Sequence, residues 1–258
     1  MRHEETHATS LLERVDLVLA TRLANASDNH EPLATSQILL DEVRRPSPGD
    51  AAFMAGLLRL RGFVVEEQDA RDVVEGRPGR LSPTTQEHRL LLGMRECLRL
   101  TRERALAGMP PDGWFLVDLF KTMTRDLPRF RNIDLRRGPP WDAMLHVSHP
   151  TPDQLRFLID RFDLTHCYRD VAPAFHALHP VRQGFRLLWR FLRIAPFSDF
   201  NAIIAWLGMN AWLQTKGYPL LSAHDEDRQF LARLANGPPP TKILPLESRL
   251  LSAVGVSD

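Results

Sequence analysis

The sequence predicts a mainly α protein with one small β-hairpin, and three observations carry that reading. Apolar residues recur at helical spacing along most of the chain. The segment Ala202 to Leu213 is apolar at nearly every position, as a helix buried on all sides must be. Between Asn132 and Ser148 the pattern changes: Ile133 and Leu135 face Leu145 and Val147 across Gly138-Pro139-Pro140, which suits two short strands and a turn.

In chain order, Leu11, Leu12, Val15, Val18, Leu19 and Leu23 mark a first amphipathic helix, and Ser10 with Glu13 makes a capping box for it. Residues 27–32 form a turn, Ser36 to Val43 reads as a short helix, and Pro46 and Pro48 interrupt it before a helical pattern resumes from Ala51 to Leu60. Gly76-Arg77-Pro78-Gly79-Arg80 is the best internal boundary, and Ser82-Pro83-Thr84-Thr85 can cap a helix from about Gln86 to Ala107. After the Pro/Gly loop from Gly108 to Gly113, Trp114 to Thr124 reads as a helix with Phe115, Leu119 and Met123 on its apolar side. Thr151-Pro152-Asp153 starts another, to about Phe162, and Gly184 to Ile194 is apolar except for an arginine stripe. The central helix from Ala202 ends at Gly217-Tyr218-Pro219, one more helix spans Glu226 to Ala235, and Gly237-Pro238-Pro239-Pro240 opens a Pro-rich tail. This divides the chain into a helical extension over residues 1–82, a core domain over 83–235 and a tail over 236–258.

A chain of 258 residues can bury a sizeable core without covalent staples. Its 33 basic and 32 acidic residues leave a net charge of +1, so no nucleic-acid partner is expected. Cys97 and Cys167 match neither a disulfide framework nor a zinc spacing and read as reduced, structural thiols. The polar start Met1-Arg2-His3-Glu4-Glu5 has no apolar leader core, and no stretch reaches the ~18 apolar residues of a membrane span, so a cytoplasmic protein without membrane contact is the expectation.

Histidines offer few candidates for chemistry. His146 and His149 flank the hairpin, and His176 and His179 stand three apart, a spacing that can bring two imidazoles together but supplies no third metal ligand. Arg182, Arg186, Arg190 and Arg193 form either a solvated face or a phosphate-facing stripe, and Trp206 and Trp212 read as core.

The run His179-Pro180 through Arg193-Ile194-Ala195-Pro196-Phe197 resembles the approach helix of the Fic (Fido) family, which begins His-Pro and ends Arg-Phe-Glu-Arg-Ile-His-Pro-Phe. Ser198-Asp199-Phe200-Asn201-Ala202-Ile203-Ile204-Ala205-Trp206 aligns without a gap on x-Asp-Gly-Asn-Gly-Arg-x-x-Arg, and Asn210 through Gly217-Tyr218-Pro219 resembles the continuation Leu-x-x-x-Gly-Tyr-Pro. Upstream, Leu127-Pro128-Arg129-Phe130-Arg131 is similar to the lead into the family's flap hairpin, where the strand pattern lies. A shorter match, Ala34-Thr35-Ser36-Gln37-Ile38-Leu39-Leu40, resembles the family's inhibitory helix, with Leu39 in the slot of its glutamate. The resemblance covers roughly residues 84–235 and implies a Fic-like helical bundle with a β-hairpin flap.

The departures bear on activity. The resemblance implies that the motif histidine is the base that deprotonates the target hydroxyl, and that slot is Ala195; a general base contributes about 10²–10⁴ in rate. The Gly-Asn-Gly-Arg turn would offer backbone N–H groups and a guanidinium to nucleotide phosphates, but here it reads Phe200, Asn201, Ala202 and Ile203, with Trp206 in place of the second arginine. Pro196, Phe197, Asp199 and Asn201 survive. By the resemblance Asp199 is a magnesium ligand and Asn201 part of an anion hole; the plainer readings are a helix N-cap for Asp199 and a loop brace for Asn201. Two functional expectations follow. One is a catalytically degenerate Fic-like protein that does not transfer AMP and binds a protein partner at the flap, or a ligand in the cleft. The other is a transferase of repurposed chemistry, moving a sugar or another nucleotide-linked group from a magnesium-bound nucleotide, with Asp199 as the residue to test and His149 or His176 as its base.

Overall fold

The computed structural model describes residues 10–27, 47, 49–141, 147–162 and 175–254. Among them ten α-helices occur. α1 (Leu11–Ser27) starts at the predicted capping box: the Ser10 N–H donates to the Glu13 carboxylate at 2.7 Å, and the Glu13 N–H to Ser10 Oγ at 3.3 Å. α2 (Asp50–Arg61) ends at Gly62, in the left-handed conformation that closes a helix, and α3 (Glu67–Glu75) follows with a Glu66/Asp69 capping box. α3 went unpredicted because its apolar face is only Ala70 and Val73 among charged residues.

α4 (Gln86–Leu106) is capped by Thr85, which accepts the His88 N–H, and α5 (Gly113–Thr124) by Asp112, which accepts the Phe115 N–H at 2.8 Å. α6 (Pro152–Asp160) meets the N-terminus of α5 so closely that a Cβ on Gly113 would lie 2.2 Å from the Ile159 carbonyl oxygen. α7 (Pro180–Ile194) begins at His179, whose Nδ1 accepts the Val181 N–H while its Nε2 donates to Asp16 at 2.9 Å.

α8 (Asn201–Thr215) is the centre. Every residue from Asn201 to Leu213 is buried, and α2, α4, α5 and α7 all pack on it. Its Trp206 and Trp212 lie in the core, as expected, with Trp206 Nε1 donating to the Leu221 carbonyl at 2.7 Å. α9 (Asp227–Asn236) covers α7, and α10 (Leu244–Ala253) buries Leu246, Leu250 and Leu251 with α1 beside it. No helix among the described residues is long and apolar enough to cross a membrane.

Two sequence expectations need correction. First, no strand occurs among the described residues, so the β-hairpin flap is not found. Residues 131–141 run through turns and bends, and their backbone donors go elsewhere: the Arg136 N–H to the Pro196 carbonyl at 2.8 Å, and the Trp141 N–H to Ser198 at 2.6 Å. The other proposed arm, with Leu145 and His146, lies largely outside the described residues, as do Cys167 and the match at 34–40. Second, the arginine stripe of α7 is not a solvated face. Arg182 pairs with buried Glu247 at 3.0 Å, Arg186 donates to the Pro240 carbonyl, and Arg193 donates to Ala235 at 3.0 Å. The stripe ties three stretches to α7: α9 through the Ala235 carbonyl, the following segment through the Pro240 carbonyl, and α10 through the Glu247 carboxylate.

Cys97 is fully buried on α4 with its thiol directed at the Leu119 carbonyl, and burial pushes its pKa well above that of a free thiol. In a Cys167→Ser protein, Cys97 is therefore expected to resist a thiol reagent at pH 8 and to react only at the rate of unfolding. Stoichiometric labelling within minutes in native buffer would contradict its placement.

Candidate functional site

α7 and α8 are joined by a loop flanked by two left-handed residues, Ala195 (φ 42) and Phe200 (φ 65). For a side chain other than glycine that conformation is strained by about 1–2 kcal/mol, so surrounding contacts must hold it. Every residue from Ile194 through Leu213 is buried, which leaves no part of the motif in the open.

Several groups over-determine the loop. Asn201 braces it with both ends of its amide: Oδ1 accepts the Phe197 N–H and Nδ2 donates to the Phe197 carbonyl, each at 2.9 Å. Arg136, 4% exposed, donates to the carbonyls of Ala195 (2.7 Å), Gly138 (2.8 Å) and Pro150 (2.6 Å). It has no carboxylate partner among the described residues, and burial lowers its pKa from the ordinary arginine value. Its charge lies at the C-terminal end of α7, where the helix dipole favours a cation.

Asp199 is 2% exposed and fully engaged. Arg61, at the end of α2, donates to it through Nε (2.6 Å) and Nη2 (3.3 Å), and Arg129 approaches at 3.4 Å. The Phe200 N–H donates to Asp199 Oδ1 at 2.8 Å. Asp199 is thus not the N-cap of α8; that position is Phe200, which offers no side-chain cap. Two arginines supply the positive charge that its carboxylate requires.

Phe200 is fully buried, its ring 5.4 Å from Phe130 and 6.3 Å from Phe63, with the Arg129 guanidinium 5.9 Å above it. The aromatic set continues inward through Phe120, 5.6 Å from Phe130, which stacks on Phe197 at 4.0 Å. Ala195, Ala202, Ile203 and Trp206 are each at most 1% exposed and belong to the same core. Where a phosphate cradle would need small residues and free N–H groups, the N-terminus of α8 meets packed hydrocarbon.

The histidines do not converge on this loop. His149 donates through Nδ1 to the Arg193 carbonyl at 3.0 Å and lines a separate cavity with Arg190 and Arg193. His176 is exposed on a short 3₁₀ turn, Phe175–Ala177, beyond the opposite end of α7; a 15-residue helix is about 22 Å long. Among the described residues no group of three or more His, Cys, Asp or Glu side chains could hold a metal ion. Arg61, Arg129 and Arg136 are the site residues that sequence reasoning missed. Arg129 sits in a segment already noted, but nothing local distinguishes Arg61, 138 positions before its partner.

No family model matches the sequence, and no curated protein sequence matches it. Solved structures do. A Fic domain containing signaling protein from Bacteroides thetaiotaomicron superposes with a TM-score of 0.68 at 18% identity, over 95% of this chain and 92% of that one. A Fic family protein from Desulfovibrio desulfuricans gives a TM-score of 0.63 at 17% identity, over 95% of this chain and 71% of the other. Fic-1 from C. elegans gives 0.59 at 14% identity, over 95% and 70%. Identities this low speak to architecture and not to activity, and on architecture they agree: the chain has the Fic fold.

Proposed function

We propose that this is a Fic-fold protein that does not transfer AMP and acts by binding, with a protein partner on the surface presented by residues 131–141. The observation that carries the reading is the state of Asp199: a bidentate Arg61 and a nearby Arg129 take the place a divalent cation would need. Phe200 supports it by filling the first position of the cradle, and Ala195 by offering no base. Trp141, 56% exposed, gives the surface an aromatic anchor of the kind that interfaces concentrate energy on.

The test is a thermal-shift titration with ATP, ADP, GTP, CDP-choline and UDP- and dTDP-sugars, each with and without magnesium. A ligand at a hundred times its Kd would stabilise the native state by about 2.7 kcal/mol. No magnesium-dependent shift is expected from any of them. A magnesium-dependent shift that disappears in Asp199→Asn would overturn the binding reading in favour of a repurposed transferase and would name its donor class.

A further inference from the structure

Beside the motif loop, α7, Leu158 of α6 and residues 148–150 flank an open pocket of about 310 Å³ lined by Ser148, His149, Pro150, Leu158, Arg190, Arg193 and Ile194. Among the described residues its lining contains two arginines, a histidine and a hydroxyl, and no carboxylate. Arg190 has no hydrogen-bond or ion-pair partner among the described residues, and its Nε is buried and unsatisfied. Arg186, one turn earlier on α7 and outside the pocket lining, is 2% exposed with both Nη atoms likewise buried and unsatisfied. Arg193 spends one Nη on the Ala235 carbonyl and lies over the Trp189 ring, 5.4 Å from its centroid.

Buried guanidinium donors without an acceptor are costly, and a native protein meets that demand with a carboxylate, water or a bound anion. Here no carboxylate among the described residues lines the cavity. We infer that it is a binding site for a small organic oxyanion, a phosphate or carboxylate head on a compact apolar body. Arg190 supplies a planar fork of N–H donors suited to either head group, and Arg193 adds a second charge three residues on. Ser148 can donate its hydroxyl to the same head. Pro150, Leu158 and Ile194 form the apolar wall against which the body lies, and the volume is at the small end of the range for small-molecule sites. The His149 ring is held by its bond to the Arg193 carbonyl.

The experiment is calorimetric titration of the full chain, without magnesium, with inorganic phosphate, phenyl phosphate and benzoate, against sodium chloride at matched ionic strength. Arg190→Gln is the test variant and Arg71→Gln, an exposed residue of α3, the charge-matched control. Because Arg190 has no partner to lose among the described residues, its variant is expected to melt as the parent does, which a thermal scan checks. Phenyl phosphate or benzoate should bind in the millimolar range or tighter, and Arg190→Gln should weaken it about tenfold or more while Arg71→Gln leaves it unchanged. Binding of phenyl phosphate alone would narrow the head group to phosphate, and binding of benzoate alone to carboxylate. Absence of binding by all three probes, or equal binding by Arg190→Gln and the parent, would overturn the site.

Discussion

Replacing Phe200 by alanine is expected to destabilise the protein by about 3–5 kcal/mol, the usual loss for a fully buried phenyl ring. Glycine at the same position should cost about 1 kcal/mol less than alanine, although it removes one more carbon. The inversion follows from the backbone: at φ 65 and ψ 15 any Cβ is strained, and glycine alone is not. Urea unfolding of the two variants, compared at equal slopes, measures the difference. If glycine proves worse than alanine, the loop does not hold a left-handed residue there. Neither variant should acquire nucleotide binding, because Ala195, Ile203 and the Arg61–Asp199 pair all remain.

The second large effect is expected at Asp199. Asparagine keeps the shape but leaves Arg61 and Arg129 facing a neutral amide, and the expected loss is about 2–4 kcal/mol. That lies around the lower end of the range for breaking a buried pair, since the two arginines are 24% and 47% exposed and can recover some hydration. A helix cap alone would give about 0.5–2 kcal/mol. The cleaner measurement is a cycle with Arg61→Met, in which the double variant should lose less than the two single variants together by about 1–3 kcal/mol. Zero coupling would mean that Arg61 merely lies nearby and that the carboxylate remains available to a cation.

Much of the architecture was legible because helices announce themselves locally. The Ser10/Glu13 box, the Thr85 cap and the unbroken apolar run that became α8 each lie within a few residues of what they specify. The order and spacing from His179 to Pro219 carried the resemblance that implied the fold, and the similar solved structures agree with it. The strand pattern at 132–148 misled for a related reason. Alternation reports which side chains are apolar, whereas the backbone donors of Arg136 and Trp141 found their acceptors in the motif loop.

The sequence by itself determined which residues stand at the positions the resemblance marks: Ala195 at that of the base, and Phe200 and Ile203 at those of a small residue and an arginine; these are identities, and no packing can alter them. Only the tertiary structure decided what became of the residues that survive. Asn201 turned into a brace and Asp199 into the acceptor for Arg61, because a buried carboxylate must be neutralised by whatever cation the fold brings within reach. The same holds for the arginines of α7. Their spacing was visible at once, but whether each met a carbonyl, a carboxylate or nothing depended on α6, α9 and α10, which reach that face only when the chain has folded.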